Sequence, residues 1–266
     1  MYRIPTRPPR RWASAALALT VVVSGALVPT RAPADDGGAS GPVITVVFTA
    51  FRIFRNRSMS AEDVEKLVRE ILGAVSAVQN ETIGQIDGLE AATVIGNAQA
   101  TSYDMLDYPV IRDDEEMRWE TAQRLGGYAT NAYAKYGAVI TKKAKDQIGL
   151  AANTIYPATL VVRQDAGLTA SLPSYEADYR DLNRRIVADL VPTCTSQVAN
   201  DTPLFITEVR YECVAANGDR ALDYQIRNDQ TGQWIVGPVD LEALKDRAAI
   251  NSSWLVAKRV LQQQGG

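Results

Sequence analysis

The chain has 266 residues, 46% of them apolar, and carries 28 basic against 31 acidic side chains, a net charge of −3. The apolar fraction is enough for a folded core, and the slightly acidic balance excludes a general attraction to nucleic acid. Histidine is absent, which excludes the commonest general base, the commonest zinc ligand and the usual Ser-His-Asp or Cys-His machinery.

Arg3, Arg7, Arg10 and Arg11 precede an apolar run from Ala13 to Val28, and Ala32-Pro33-Ala34 follows. A basic start, a short apolar segment and a small-x-small site predict a secretory signal peptide over 1–34, cleaved after Ala34. The competing reading is a retained membrane anchor. Ser24 and Gly25 interrupt the run, and it falls short of the roughly 17–25 residues a spanning helix needs. The expected location is therefore outside the cytoplasm. The leader holds five Arg and no acid, so the rest of the chain has 23 basic and 31 acidic residues, a net −8. The excess of Arg (21) over Lys (7), with abundant Ala, points to a GC-rich bacterial genome.

Residues 35–42 (DDGGASGP) read as a polar linker. The next stretch, Val43 to Phe54, is the most apolar after the leader. Its periodicity fits a strand or a helix, and the long helical pattern that follows favours a helix. It is either a buried first element or one whose Val47, Phe48, Phe51 and Phe54 contact a membrane or partner. Arg52, Arg55 and Arg57 at its end suit an anionic headgroup layer.

Ser60-Ala-Glu-Asp63 reads as a capping box. Val64, Leu67, Val68, Ile71, Leu72, Val75, Val78, Ile83, Ile86, Leu89 and Val94 then recur at three- and four-residue spacing. That stripe predicts one long helix to about residue 98, with a break over Ala100–Pro109. Asp113 to Glu116 opens a second long helix with an apolar edge from Ala122 to Ile155, ended or kinked by Pro157. Two such helices pair as an antiparallel hairpin, in coiled-coil fashion, giving a helical module over 43–166.

Over 167–266 the pattern changes to a small α+β module. Leu172-Pro173-Ser174 starts a helix to about Leu190, with Ser174 as the expected cap. Phe205–Val214 alternates as a strand, with Phe205, Thr207, Val209, Tyr211 and Cys213 on one side. Asn217-Gly218 predicts a hairpin to Leu222–Ile226, and a further turn leads to Trp234–Val236. A last helix is expected over Asp240–Gln263. Cys194 and Cys213, 19 positions apart, predict a disulfide tying this three-stranded antiparallel sheet to the helix before it. Closing a loop of that size contributes about 3 kcal/mol. The fold class is thus mainly α: a long antiparallel helical hairpin, then a small sheet with flanking helices.

No residue set converges on catalysis, a cofactor or a metal. The acidic run Asp113–Glu116 suits the unpaired amides of a helix start, and four adjacent helical residues cannot converge on one ion. Carboxylate-pair chemistry is the enzyme class left open by the absence of histidine, but no motif selects among Asp178 with Asp181, Glu208 with Glu212, or others. Tyr103, Tyr108, Tyr128, Tyr133 and Tyr136 lie at spacings that suit core packing or a ligand groove. Lys142-Lys143-Lys145 and Arg184-Arg185 lack the aromatic interleaving of a nucleic-acid site. The expected function is that of an exported non-catalytic binding or surface-interaction protein, its partner a protein or envelope component. The alternatives are a membrane-active helical protein using Val43–Phe54, or a carboxylate-dependent cell-wall or glycan hydrolase.

Overall fold

A computed structural model describes residues 42–56, 60–78, 85–199 and 203–265. The expected leader and almost all of the linker lie outside the described residues, as do the side chains of residues 72–86. The helices are α1 (Pro42–Asn56), α2 (Ala61–Val78), α3 (Gln85–Ile111), α4 (Glu115–Ala138), α5 (Lys142–Asp165) and α6 (Leu172–Asp189). Four strands follow, β1 (Thr193–Val198), β2 (Ile206–Val214), β3 (Arg220–Asn228) and β4 (Trp234–Val236), and then α7 (Leu241–Ala248) and α8 (Ser253–Gln263).

The bundle is organised around α5. From Ala151 to Arg163 every residue of α5 is buried, and α1, α2, α3, α4, α6 and α8 all pack against it. A helix enclosed on all sides is ordinarily apolar all round, yet α5 buries Asp146, Asn153, Thr154, Thr159 and Arg163. Burying such groups is costly unless they are hydrogen-bonded, and these five are, whereas Gln147 Oε1 and the Tyr156 hydroxyl of α5 are buried without a partner among the described residues. The Asp146 carboxylate accepts from the Ser252 and Ser253 hydroxyls (2.7 and 2.8 Å) and from the Ser253 amide (2.8 Å). Asn153 accepts from the Tyr179 hydroxyl at 2.7 Å. The Thr159 hydroxyl donates to the carbonyls of Ile155 and Leu125, and Thr154 donates to that of Leu150. The Arg163 guanidinium donates to the Ala122 carbonyl and the Ser171 hydroxyl and lies 4.7 Å from the centroid of the Tyr175 ring.

These bonds also set the directions of the neighbours. Residue numbers run oppositely in α4 and α5 (Ala122 with Arg163, Tyr136 with Lys145) and in α3 and α4 (Asp104 with Arg124, Glu90 with Lys135). The antiparallel hairpin pairing expected from sequence is therefore present, with the second long helix divided into α4 and α5. The first is described as α2 and α3, and α3 runs through the break expected over Ala100–Pro109 to Ile111. The second divides at Val139–Thr141, where Asp87 on α3 accepts from the amides of Ile140 and Thr141 and the Thr141 hydroxyl caps α5. Pro109 and Pro157 both sit inside helices. Tyr108 and Met105, fully buried, hold the last turns of α3 in place, and the packing on all sides of α5 outweighs the lost amide bond at Pro157.

Caps at the other helix starts follow local chemistry. Ser60 and Asp63 form the reciprocal box, the Asp63 amide donating to the Ser60 hydroxyl at 3.1 Å and the Ser60 amide to the Asp63 carboxylate at 3.3 Å. Asp114 and Asp240 cap α4 and α7. At α6 the helix starts before the expected Ser174, and Ser171 in the cap position turns its hydroxyl toward Arg163 instead. The single C-terminal helix expected over 240–263 is two helices, because Asp146 holds Ser252 and Ser253, and Ser252 caps a new start at Ser253 by accepting from the Trp254 amide.

The sheet is a four-stranded antiparallel meander in the order β1-β2-β3-β4. The expected sheet lacked its first strand, β1. Cys194 lies on that strand, directly opposite Cys213 in the register. The disulfide therefore joins two strands rather than the sheet to a helix. Alternation puts Cys194, Tyr211, Cys213 and Ala221 on one face, where Leu244 and Ala248 of α7 cover them in a small second core. The opposite face carries Thr193, Thr195, Glu212, Val214, Leu222, Tyr224 and Ile226.

Two outcomes test this packing. An added Cβ at Gly149 would lie 2.6 Å from the Ser253 hydroxyl and 3.1 Å from Ile186 Cδ1. Gly149→Ala should therefore cost about 1–3 kcal/mol, read as a lowered urea midpoint. Bonds to the Thr141 side chain and backbone hold the Asp87 carboxyl below its ordinary value of 3.8. A depressed carboxylate stabilises the fold above 3.8 and loses that contribution as pH falls through the lower folded value. The Thr141 amide resonance should titrate with a midpoint below 3.8, and Asp87→Asn should abolish that titration.

Candidate functional site

Side chains singled out in the sequence are mostly structural. In α1, Val47 and Phe51 are buried, Phe54 packs partly against the core, and Phe48 is 36% exposed. The Phe51 ring stacks on Tyr179, whose ring in turn stacks on Tyr156 (centroids 5.9 and 5.0 Å apart). Contact of this face with a membrane or partner would require α1 to leave the core.

The tyrosines do not form one groove. Tyr103 is exposed and Tyr128 is half-buried against the core. Tyr108, Tyr133 and Tyr136 each face an aspartate on another helix, and each aspartate also meets a cation. Tyr108 donates to Asp165 (2.7 Å), which pairs with Arg112. Tyr133 donates to Asp181 (2.7 Å), which pairs with Arg185. Tyr136 donates to Asp189 (3.3 Å), which pairs with Lys145. Burial first, and then the facing carboxylate, raises the hydroxyls of Tyr108 and Tyr136 far above the ordinary tyrosine value. At Tyr133 the bond to Asp181 is the larger cause. Each of these phenols fastens one helix to another.

Three of the four carboxylates considered for hydrolysis are likewise engaged. Asp181 is held by Tyr133 and Arg185, Glu208 by Arg210 and Glu212 by Arg220. Asp113 to Glu116 are exposed at the start of α4. Among the described residues no three His, Cys, Asp or Glu side chains group as metal ligands.

The feature that packing leaves unexplained is one end of the sheet. The chain enters the sheet at Thr193 and leaves it at Val236, so the end formed by the last residues of β1 and β3 and the first of β2 and β4 points the other way. There Val198, Leu204, Phe205, Trp234 and Ile235 are all exposed, Leu204 by 86% and Trp234 by 46%. Phe205 adopts the left-handed conformation, with φ of 66°, which is strained for a bulky side chain. The Asp229 amide donates to its carbonyl at 2.8 Å and fixes the turn. Among the described residues, Arg227 pairs with Asp229 and Arg210 with Glu208 at this end. Sequence alternation marks Phe205 as one more strand position, but only the backbone shows that it turns out of the ladder.

No protein family model matches the chain, and no curated protein or solved structure shows significant similarity to it.

Strain at Phe205 has a measurable consequence. Phe205→Gly should relieve about 1 kcal/mol, because the side chain is 55% exposed and loses little packing. The urea midpoint should rise. An unchanged or lower midpoint would show that Phe205 is held by contacts and not merely tolerated.

Proposed function

We propose that this protein is a non-catalytic binding protein, exported from the cell, that meets a protein partner through the exposed end of its sheet. The single observation supporting this is the group Val198, Leu204, Phe205, Trp234 and Ile235, five large apolar side chains exposed together at that end. Scattered exposed apolar residues are ordinary, but five at one end of one sheet, a Trp and a Phe among them, suit a contact surface. An apolar centre rimmed by neutralised charge is the anatomy of a protein–protein interface, and exposed Trp and Phe supply the kind of anchor that dominates binding energy. The paired charges favour a partner with an apolar, uncharged patch over an anionic lipid surface, which would select unpaired Lys and Arg. The strained Phe205 fits this reading, because an outlying backbone conformation that presents an exposed aromatic side chain serves display better than stability.

Chemical cross-linking in the envelope and culture fluid of the producing cells, followed by mass spectrometry, tests this. The protein should capture one species in reproducible stoichiometry, with cross-links near residues 198–210 and 227–236, and Leu204→Glu with Trp234→Glu should abolish capture while leaving the circular dichroism unchanged. Equal capture by the double variant would overturn the proposal, as would saturable binding of the protein to vesicles of anionic lipid through the same residues.

A further inference from the structure

The opposite end of the sheet holds a cavity of about 250 Å³ where β1 and β2 meet the start of α5. Its walls are Lys142, Val191, Thr193, Thr195 and the segment Val214 to Ala216. Thr193 stands opposite Val214 in the register, and Thr195 is next along on the same face. On the reverse face of the same two strands, Cys194 is bonded to Cys213. The disulfide thus fixes the spacing of the two strands that form the cavity wall, from behind and without entering it.

The chemistry of this cavity is one-sided. Lys142 forms no ion pair among the described residues, whereas its neighbour Lys145 is bound to Asp189. The Thr193 and Thr195 hydroxyls have no hydrogen-bond partner among the described residues, and no carboxylate lines the cavity. Glu212, the acid nearest in the register to Thr195, is engaged by Arg220. The site therefore offers an ammonium and two hydroxyl donors together with the apolar surface of Val191, Val214, Ala215 and Ala216. Pockets that bind small molecules combine an apolar lining with a few convergent polar groups in this way. At about 30 Å³ per water-sized volume, the cavity holds roughly eight such volumes, which matches a molecule of few heavy atoms.

From this we infer that the cavity is a binding site for a small organic carboxylate with a short aliphatic tail. Its carboxylate accepts from Lys142 and from the two threonine hydroxyls, and its tail lies against Val191 and Val214. The inference stands on residues other than those at the partner-binding end, so either reading can fail without the other.

Titration of the ¹⁵N-labelled protein with sodium butyrate, followed by amide chemical shifts, tests it directly. Saturable shifts are expected at Thr193, Thr195 and Val214 to Ala216, with a millimolar Kd. Butan-1-ol and inorganic phosphate, which each carry half of the required chemistry, should bind at least tenfold more weakly. Lys142→Gln should weaken butyrate at least tenfold while Lys142→Arg retains most of the affinity, and both variants should keep the native spectrum because residue 142 is exposed. Shifts that do not saturate, shifts centred elsewhere, unchanged affinity in Lys142→Gln, or phosphate or butan-1-ol binding as tightly as butyrate would each overturn the inference.

Discussion

The enclosure of α5 from Ala151 to Arg163 is the constraint on which the rest of this molecule depends. A helix buried on its several sides gains by satisfying its polar groups from its neighbours, and Asp146, Asn153, Thr159 and Arg163 of α5 are satisfied in this way. Asp146 is the clearest case: it draws Ser252 and Ser253 to it, and in doing so ends the helical run after α7 and starts α8. At the other end Arg163 takes the hydroxyl of Ser171, which would otherwise cap α6. Asn153 orients Tyr179, and Tyr179 carries the aromatic stack that seats α1. The polar residues of α5 thus specify where other helices begin and how they are aligned. Close approach follows from the same geometry: at Gly149 the chain has no room for a side chain between α5, α6 and α8.

The sheet is a contrasting piece of construction. Its core is small, consisting of the disulfide and a few side chains under α7, so covalent cross-linking stands in for apolar burial there. One face is covered and the other is left to solvent. An element made rigid in this way can hold exposed groups in fixed positions at modest cost, which is what both ends of the sheet do. One end presents apolar side chains around a strained phenylalanine, and the other presents one cation and two hydroxyls around a small cavity. The bundle supplies stability, and the sheet supplies surface.

Much of the architecture was legible in the residues. The capping box at Ser60, the acidic start of α4, the Asn217-Gly218 hairpin and the cysteine pair each rest on local chemistry, and each appears where local chemistry puts it. What was hidden depends on tertiary contacts. The stripe in α5 read as one apolar edge because Asn153, Thr154 and Thr159 masked a helix buried all round. The division at Val139–Thr141 depends on Asp87, more than fifty residues away in the chain. β1, with the sequence Thr-Cys-Thr-Ser-Gln-Val, has little apolar alternation because it is an edge strand exposed everywhere but at Cys194. The surfaces of interest were the least legible of all. Strand alternation shows that a sheet has two faces but not which one a helix will cover, and nothing local brings Lys142 to Thr193. The apolar segment Val43–Phe54, the most conspicuous feature outside the leader, forms core.

The claim that α5 is the enclosed pillar of the fold is tested most directly by native-state hydrogen exchange. Amides from Ile148 to Val162 should exchange more slowly than those of every other element, at a rate set by global unfolding, with α7 and the exposed end of the sheet opening far more readily. If the α5 amides exchange as fast as those of α7, the helix is not enclosed, and the account of how its neighbours are placed fails with it.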